Sequence, residues 1–276
     1  MDSLKKSAVE IAFIGGGNMA QAMGRGIAAA RGDGKSLFVV DRHPENLQRW
    51  SALGASTALG FEETLSQCRV WILAVKPQGL KAVCEEIKPF LHQNTLVISV
   101  AAGISMESLQ CWLGHANIIR TMPNTPALLG KGVTGMYAAE VVAAEDVDYA
   151  EQLLRTMGSV VRVDKEGLID AVTALSGSGP AYVYLFIESL IAGAVGMGLS
   201  QEQAKQMAVD TVMGAAQMVQ STGESPTELR KKVSSKGGTT LAALDVFFAK
   251  DFSSIVEQAM QAAARRAGEM SQELGK

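Results

Sequence analysis

The sequence has few of the residues that build disulfide frameworks and metal sites. Its 276 residues include three cysteines and three histidines. The cysteines form neither a C-x-x-C pair nor a cluster with histidine, so neither a disulfide scaffold nor a metal site is predicted. The last histidine is His115, which excludes a histidine acid or base from the second half of the chain.

The chain also lacks an excess of positive charge. Its formal net charge at pH 7 is -3 and its sequence pI is about 5.7, so nucleic acid is not an expected partner. The short basic runs at 230–232 and 265–266 are interpreted as solvated helix positions. The first six residues do not have the apolar core of a signal peptide, and a cytoplasmic location is expected.

One long apolar segment, Ala181–Val195, admits two interpretations. A membrane span is disfavoured because Glu188 lies in its middle and several glycines follow. The other interpretation is a helix of a globular domain. A helix that is apolar on nearly every face must then be buried all round. A small helical domain cannot easily bury two faces of one helix within a subunit, so the segment predicts a dimer built on the second half of the chain.

An apolar run near the N-terminus breaks into three glycines and then into helix-forming sequence. Gly15, Gly17 and Ala20 match the G-x-G-x-x-G/A spacing of a dinucleotide-binding turn. The helix begins near Asn18 and Met19, where unpaired N–H groups and the helix dipole favour a pyrophosphate. The stretch predicts a strand, a tight turn and a helix that together bind a dinucleotide.

Alternating apolar runs and helical patterns follow, and they predict a doubly wound parallel sheet with ligands beyond the carboxyl ends of its strands. The second run ends at Asp41, at about the spacing of a ribose-binding acid. Three later runs lead into loops rich in Pro, Gly and Asn, which turn chemistry alone would also explain. Their position favours contact with a nicotinamide and its ribose. The residues assigned to the cofactor on this basis are Val75, Lys76, Pro77, Ala101, Gly103 and Asn124.

From about residue 167 no strand pattern returns. The predicted fold class is therefore α/β, with a Rossmann-type doubly wound sheet in residues 1–166 and an all-α domain for substrate binding and dimerisation in residues 167–276. Ser178 and Gly179 precede Pro180 at the start of the apolar helix. Such small residues would let a nicotinamide ring pack against the backbone.

A second glycine-rich stretch, residues 233–242, leads into another helix. A turn with a helix N-cap explains it about equally well. The functional interpretation is an anion-binding nest. In it, the N–H groups of Gly238, Thr239 and Thr240 and the hydroxyl of Ser235 converge on a carboxylate.

Taken together, these stretches resemble pyrroline-5-carboxylate reductase over nearly the whole chain. The resemblance rests on residues 13–20 (FIGGGNMA), 74–77 (AVKP), 120–126 (RTMPNTP), 176–182 (SGSGPAY), 222–224 (TGE) and 234–240 (SSKGGTT). It implies transfer of a hydride from NAD(P)H to the C=N bond of 1-pyrroline-5-carboxylate, which gives L-proline. It also implies an intertwined dimer, which in this family commonly assembles further into a decamer.

The resemblance assigns roles in the second half of the chain. Ser235, Gly238, Thr239 and Thr240 would hold the substrate carboxylate, with Glu224 also in the substrate site. The Thr240 hydroxyl would lie near the ring nitrogen as the catalytic group. A cyclic imine can be protonated before hydride attack, so positioning matters more than a strong acid, and a helical half without histidine suits that task.

The chain departs from the family pattern at two places. Lys236 stands where the family usually has proline, which loosens the loop and adds a positive charge. Asp41 should repel the 2′-phosphate of NADPH, whereas Arg42, with His43, should attract it. NADPH is the expected cofactor, with NADH accepted.

Two other functions fit parts of the pattern. A dehydrogenase of the β-hydroxyacid or 6-phosphogluconate type has a similar layout but needs a catalytic lysine in the substrate-domain helix, and residues 181–198 contain no lysine. A non-catalytic dinucleotide-binding protein could keep the fold without turnover. The predicted substrate nest argues against that alternative.

Overall fold

The computed structural model describes residues 9–275, so the N-terminal stretch interpreted above lies outside the described residues. The chain forms two compact units. The first extends to Ser178 and also includes the C-terminal segment that begins at Ala263, and the second is Gly179–Ala262. The predicted boundary between residues 166 and 167 separates a dinucleotide-binding domain from a substrate-binding and dimerisation domain, and it stays a prediction.

The first unit is built on one eight-stranded sheet. Its strands are β1 (Ile11–Ile14), β2 (Leu37–Val40), β3 (Ser56–Ala58), β4 (Val70–Leu73), β5 (Leu96–Ser99), β6 (Ile118–Met122), β7 (Gly132–Ala138) and β8 (Gly158–Arg162). They lie in the order β3-β2-β1-β4-β5-β6-β7-β8, and neighbouring strands are parallel except β6 and β7. The predicted Rossmann-type doubly wound sheet is confirmed.

The strand order places the ligand crevice. The chain continues from β1 to β2 on one side and later returns to β4 on the other, so the order reverses at β1 and β4. Ligands of such sheets bind outside the carboxyl ends of the strands at this switch point. Every residue of β1, β2, β4 and β5 is buried, as expected for continuous apolar runs covered on both faces.

Two features of the sheet were not predicted from the sequence. The short strand β3 contains Ser56 and Thr57 and has no apolar run. The strand β7 pairs antiparallel with β6, opposite to the direction of every other pairing. The apolar character of a strand does not encode its direction, so periodicity alone could not distinguish parallel from antiparallel pairing.

The helices of the first unit begin where the chain supplies start signals. They are α1 (Asn18–Arg31), α2 (Pro44–Ser51), α3 (Pro77–Ile87), α4 (Met106–Leu113), α5 (Ala144–Arg155) and α6 (Leu168–Val172). Proline opens α2 and α3, where its missing N–H is harmless, and the side chain of Ser105 caps α4. The helix α6 continues into a single π-helical turn, Thr173–Gly177, hereafter the π-turn.

The second unit is helical throughout. Its elements are α7 (Gly179–Gly196), α8 (Gln201–Thr222), α9 (Pro226–Lys232), α10 (Thr239–Ala249) and the first part of α11 (Phe252–Leu274), whose last part belongs to the first unit. Capping boxes start α8 at Ser200 with Gln203 and α9 at Ser225 with Glu228. The absence of strands after residue 167 agrees with the predicted all-α half within the described residues.

The helix α7 has no buried residue within one subunit. This agrees with the expectation from the sequence that one subunit alone cannot cover both of its apolar faces. Leu185 is 64% exposed and Tyr184 is 56% exposed. By length and composition the helical run Leu168–Gly196 could also cross a membrane, a weak criterion that core helices of soluble proteins satisfy as well. One subunit therefore leaves a large apolar helix surface uncovered.

Candidate active site

The glycine turn after β1 lies at the switch point of the sheet. Gly15 has φ +99°, and a Cβ there would lie 2.8 Å from the carbonyl oxygen of Ala74 at the end of β4. Both the backbone angle and the close approach of the neighbouring strand therefore require glycine at this position. Gly17 differs, because a Cβ there would meet no protein atom within 4 Å.

The N-terminus of α1 opens at the same place. Gly17 is its N-cap and supplies no side-chain hydrogen bond, and the first turn contains no acidic residue. Asn18 is exposed and Met19 half-buried. The first N–H groups of a 14-residue helix are thus left for an anion, in the arrangement that suits a pyrophosphate.

The middle glycine of the turn is held on both sides. The N–H of Gly16 donates to Oδ2 of Asp41 at 2.7 Å. Its carbonyl oxygen accepts hydrogen bonds from Nε1 of Trp50 at 3.1 Å and from Nε2 of Gln21 at 3.0 Å. The turn is therefore fixed by three side chains, of which the sequence had singled out only Asp41.

The Asp41 carboxylate is committed largely to the protein. Besides Gly16, its Oδ2 accepts from the side-chain amide of Asn46 at 3.0 Å, and its Oδ1 accepts from the N–H of His43 at 2.8 Å. Arg42 is exposed beside it, with Nε 3.3 Å from Nε2 of His43. The structure thus gives Asp41 a role in shaping the turn and leaves the Arg42 guanidinium at the surface.

The predicted loops at other strand ends differ in exposure. Val75 and Pro77 are half-buried and Lys76 is exposed at the start of α3. Ala101 is buried after β5. Gly103 has φ +68°, and a Cβ there would lie 2.9 Å from Cβ of Met270 in α11, so packing alone already requires glycine there.

Asn124 lies after β6 and is 8% exposed. Its Nδ2 donates to the carbonyl oxygen of Ser176 in the π-turn at 3.0 Å, and its Oδ1 accepts from the N–H of Val133 in β7 at 2.9 Å. Both ends of the amide are therefore engaged by the protein. Ser178, the other predicted cofactor residue near this point, directly follows the π-turn and is half-buried.

A buried ionic cluster lies in the first unit and was missed from the sequence. Arg120 of β6 is 4% exposed, and its Nη1 donates to Oε1 of Glu166 at 2.7 Å. The same oxygen accepts from the N–H of Met106 at the start of α4 at 2.7 Å. Asp170 of α6 lies 3.8 Å from Nη2 of Arg120. Burial raises the pKa of Asp170; the Arg120 charge opposes this and the Glu166 charge adds to it.

The predicted carboxylate nest opens α10 in the second unit. Gly238 is the N-cap, and the helix has no side-chain cap. The N–H of Gly238 donates to the carbonyl of Ser235 at 3.0 Å, so it closes the turn instead of facing outwards as expected. Within residues 9–275, the N–H groups and hydroxyls of Thr239 and Thr240 form no hydrogen bond. The helix N-terminus therefore keeps two N–H donors for a carboxylate.

Glu224 and Gly179 are the other two residues of the second unit that the sequence assigned to a site. The Glu224 carboxylate forms an ion pair with Lys232, so its charge is partly compensated by the protein. Gly179 is half-buried at the start of α7, and a Cβ there would meet nothing within 4 Å. Among the described residues, no group of three or more His, Cys, Asp or Glu side chains is arranged to hold a metal ion.

Two family models match the chain. The first is described as NADP oxidoreductase, coenzyme F420-dependent, and covers residues 10–103. The second is described as pyrroline-5-carboxylate reductase dimerisation and covers residues 166–270. Between them they contain the glycine turn and the residues that open α10.

Three relatives match along nearly the whole chain. The chain is 41% identical to pyrroline-5-carboxylate reductase of Pseudomonas aeruginosa over 98% of this chain and 99% of the relative. A solved pyrroline-5-carboxylate reductase from Coxiella burnetii superposes with a TM-score of 0.91 at 38% identity, covering 96% of this chain and 99% of the other. The Plasmodium falciparum enzyme, solved with NADP bound, matches with a TM-score of 0.85 at 32% identity, covering 95% and 98%.

Proposed function

The chain belongs to the pyrroline-5-carboxylate reductase family, and we propose that it binds its cofactor at the glycine turn and its substrate carboxylate at the start of α10. It is an oxidoreductase that reduces 1-pyrroline-5-carboxylate to L-proline with NAD(P)H. The observation that carries this conclusion is the similarity to enzymes of that name along nearly the whole chain.

The cofactor pyrophosphate is proposed to lie against Gly17, Asn18 and Met19. Gly15 and Gly16 are explained by contacts within the protein, whereas no protein atom lies within 4 Å of a Cβ at Gly17. A close backbone approach by a pyrophosphate supplies a reason for glycine there. The loops of Val75, Lys76, Pro77, Ala101 and Gly103 remain the proposed surroundings of the nicotinamide and its ribose, together with Ser178 and Gly179.

NADPH is proposed as the preferred cofactor, with NADH accepted. The Asp41 carboxylate accepts three hydrogen bonds from the protein, which disperses its charge and weakens its repulsion of a 2′-phosphate. The exposed Arg42 guanidinium beside it offers the donor geometry that phosphate prefers. Comparing kcat/KM for NADPH and NADH in the wild type and in Arg42→Ala tests this, because only the NADPH value should fall.

The substrate carboxylate is proposed to accept hydrogen bonds from the N–H groups of Thr239 and Thr240 and from the Ser235 hydroxyl. Gly238 contributes by conformation, since a Cβ there would lie 2.7 Å from Oγ of Ser235. Lys236 adds positive charge next to this turn. Because Lys232 already compensates Glu224, Glu224 is proposed to shape the substrate site together with that lysine.

The reaction requires little acid–base chemistry from the chain. When bound, NAD(P)H would supply the hydride that adds to the carbon of the C=N bond, whose ring nitrogen is already protonated. The Thr240 hydroxyl is proposed to hydrogen-bond that nitrogen and to orient the ring. Holding the carboxylate and excluding water account for the rest of the protein's contribution.

The assembly is proposed to be an intertwined homodimer that associates further into a decamer. A family model described as dimerisation matches residues 166–270, and α7 within that range has no buried residue in one subunit. A partner subunit would bury this apolar surface. The location is proposed to be the cytoplasm.

Oxidation of NADPH on addition of 1-pyrroline-5-carboxylate is the decisive assay, run beside 3-hydroxy acids in the reverse direction with NADP. We expect turnover with 1-pyrroline-5-carboxylate and none with the 3-hydroxy acids. Turnover with a 3-hydroxy acid alone would instead support the β-hydroxyacid alternative. Cofactor binding without turnover on any of these substrates would support the non-catalytic alternative.

A further inference from the structure

The segment between α6 and α7 departs from regular helix at one place. In the π-turn Thr173–Gly177, the N–H of Ser178 donates to the carbonyl of Thr173 at 2.8 Å, five residues earlier. Single π-helical turns are rare and are found frequently at functional sites. This turn ends directly before Ser178, one of the residues proposed to lie by the nicotinamide.

Asn124 fastens the π-turn to the sheet. Its amide nitrogen donates to the carbonyl of Ser176, and its amide oxygen accepts from the N–H of Val133. One buried side chain thus joins the end of β6, the start of β7 and the π-turn. A hydrogen-bonded amide enclosed in this way has a defined orientation, because reversing it would place a donor against a donor and an acceptor against an acceptor.

Two glycines show how closely the same segment fits the sheet. A Cβ at Gly177 would lie 2.6 Å from Cε of Met122 at the end of β6. A Cβ at Gly135 in β7 would lie 2.5 Å from Cγ1 of Val172. The π-turn and the end of α6 are therefore packed against both strands that Asn124 joins.

We propose that Asn124 is a positioning residue of the reductase and not a ligand of the cofactor. It acts through the Ser176 carbonyl, and so sets the π-turn and the place of Ser178. This inference rests on the proposed function, and it replaces the cofactor contact predicted for Asn124 from the sequence. Its consequence is a separation of effects: loss of the amide donor shifts Ser178 and slows turnover, while the glycine turn, where the pyrophosphate is proposed to bind, stays intact and keeps most of the cofactor affinity.

The test is Asn124→Asp. Aspartate, ionised at the assay pH, keeps an oxygen for the N–H of Val133 but places the other, charged oxygen against the Ser176 carbonyl, so it replaces the hydrogen bond at issue with a repulsion. We expect kcat to fall at least about 10-fold, while the Kd for NADPH, measured by titration without substrate, stays within about twofold.

Asn117 provides the matched control. It directly precedes β6, whereas Asn124 lies just after the same strand. Nδ2 of Asn117 donates to Oδ2 of Asp146 at 3.2 Å and to the carbonyl oxygen of Thr95 at 3.4 Å, so Asn117→Asp also sets an oxygen against acceptor oxygens in the same unit. That variant should lower the Tm and leave kcat within about twofold, since the hydrogen bonds that it removes do not involve the π-turn.

Three results would overturn the proposal. Folded Asn124→Asp with wild-type kcat would show that this hydrogen bond does not matter to turnover. A rise in the NADPH Kd matching the loss of kcat would make Asn124 part of the cofactor site. If Asn124→Asp does not fold, Asn124→Ala must show the same split, and failure of both to fold would assign the residue to stability. A wild-type protein inactive on the imine would contradict the proposed function instead.

Discussion

The indole nitrogen of Trp50 donates a hydrogen bond of 3.1 Å to the carbonyl of Gly16, the middle glycine of the turn after β1. Trp50 is fully buried, and its ring packs on Phe13 of β1 with centroids 4.7 Å apart. The side chain at the end of α2 therefore supports both the first strand and the turn that follows it. The shape of the turn proposed to bind the pyrophosphate therefore depends on a buried side chain behind it.

Trp50→Phe should weaken NADPH binding with little change in kcat. Phenylalanine keeps most of the apolar volume but removes the donor to Gly16, and a buried neutral hydrogen bond of this kind contributes about 1 kcal/mol, or about fivefold in Kd. Fluorescence or calorimetric titration with NADPH measures the effect. Trp71→Phe is the control, because Nε1 of Trp71 donates to the carbonyl of Leu65 at the same 3.1 Å. Equal weakening in both variants would show a general loss of stability and no specific effect on the turn.

Gly17→Val should abolish NADPH binding and spare the fold. Gly17 has φ -69°, which any residue adopts, and no atom within 4 Å of a Cβ. The added side chain instead occupies the space proposed for the pyrophosphate, and we expect the Kd to rise at least about 100-fold. Gly15→Ala should instead lower the Tm. Its φ is positive, and the added Cβ would lie too close to the Ala74 carbonyl. Retained NADPH affinity in Gly17→Val would remove the pyrophosphate from this turn.

Thr240→Val should lower kcat about 10-fold or more while NADPH still binds normally. The substitution removes only the hydroxyl, so the N–H proposed to hold the substrate carboxylate is kept. Thr239→Val is the control, because it also keeps its N–H and loses a hydroxyl that has no proposed role at the ring nitrogen. Wild-type kinetics in Thr240→Val would exclude its hydroxyl from the mechanism.

The sequence predicted the elements better than the contacts between them. The apolar runs and the G-x-G-x-x-A spacing located β1, α1 and the turn between them, because those signals are local. Asp41 was found by its spacing, but the direction of its carboxylate towards Gly16 depends on how the turn folds. Trp50 lies 34 residues from its partner, and no local pattern marks that pairing.

The same limit applies to the polar groups of β6 and of the loop that follows it. Asn124 was found by its motif, yet its partner is Ser176, 52 residues later. Arg120 lies in the same motif, and its partner Glu166 is 46 residues away. Side-chain pairing over such separations follows from packing in three dimensions, which periodicity and motif spacing do not describe.

Asp170→Asn should raise the Tm at neutral pH. Burial raises the pKa of Asp170, despite the opposing charge of Arg120, so the folded state disfavours its ionised form. The contribution of this group to stability is therefore highest below its ordinary pKa and falls as the pH rises through the raised one. Asparagine removes that loss, so the gain in Tm over wild type should disappear at about pH 3. A gain of equal size at both pH values would assign the effect to packing.

Glu166→Gln should destabilise the protein. The Arg120 guanidinium is buried, and Glu166 is its partner at 2.7 Å. Glutamine still offers an oxygen to the N–H of Met106 but leaves the buried cation without its closest anion, which costs about 3–5 kcal/mol. Chemical denaturation at pH 7 measures the difference. If Glu166→Gln were as stable as wild type, Asp170 would have to be the anion that compensates Arg120.

Leu185→Asp should dissociate the assembly. Leu185 is 64% exposed in one subunit and lies on α7, within the range that matches the dimerisation family. If a partner covers it, two-fold symmetry removes two leucines at once, with a loss of about 3–6 kcal/mol from burial alone. Sedimentation at micromolar concentration should then show a smaller species.

Leu59→Asp is the control for that experiment. Leu59 is 61% exposed, so its exposure in one subunit matches that of Leu185, but it lies outside residues 166–270. Its variant should keep the wild-type mass, because an exposed leucine that no partner covers loses nothing on becoming charged. Dissociation by both substitutions would point to a general effect of added charge. An unchanged mass for Leu185→Asp would mean that the apolar surface of α7 is covered by something other than a second copy of this chain.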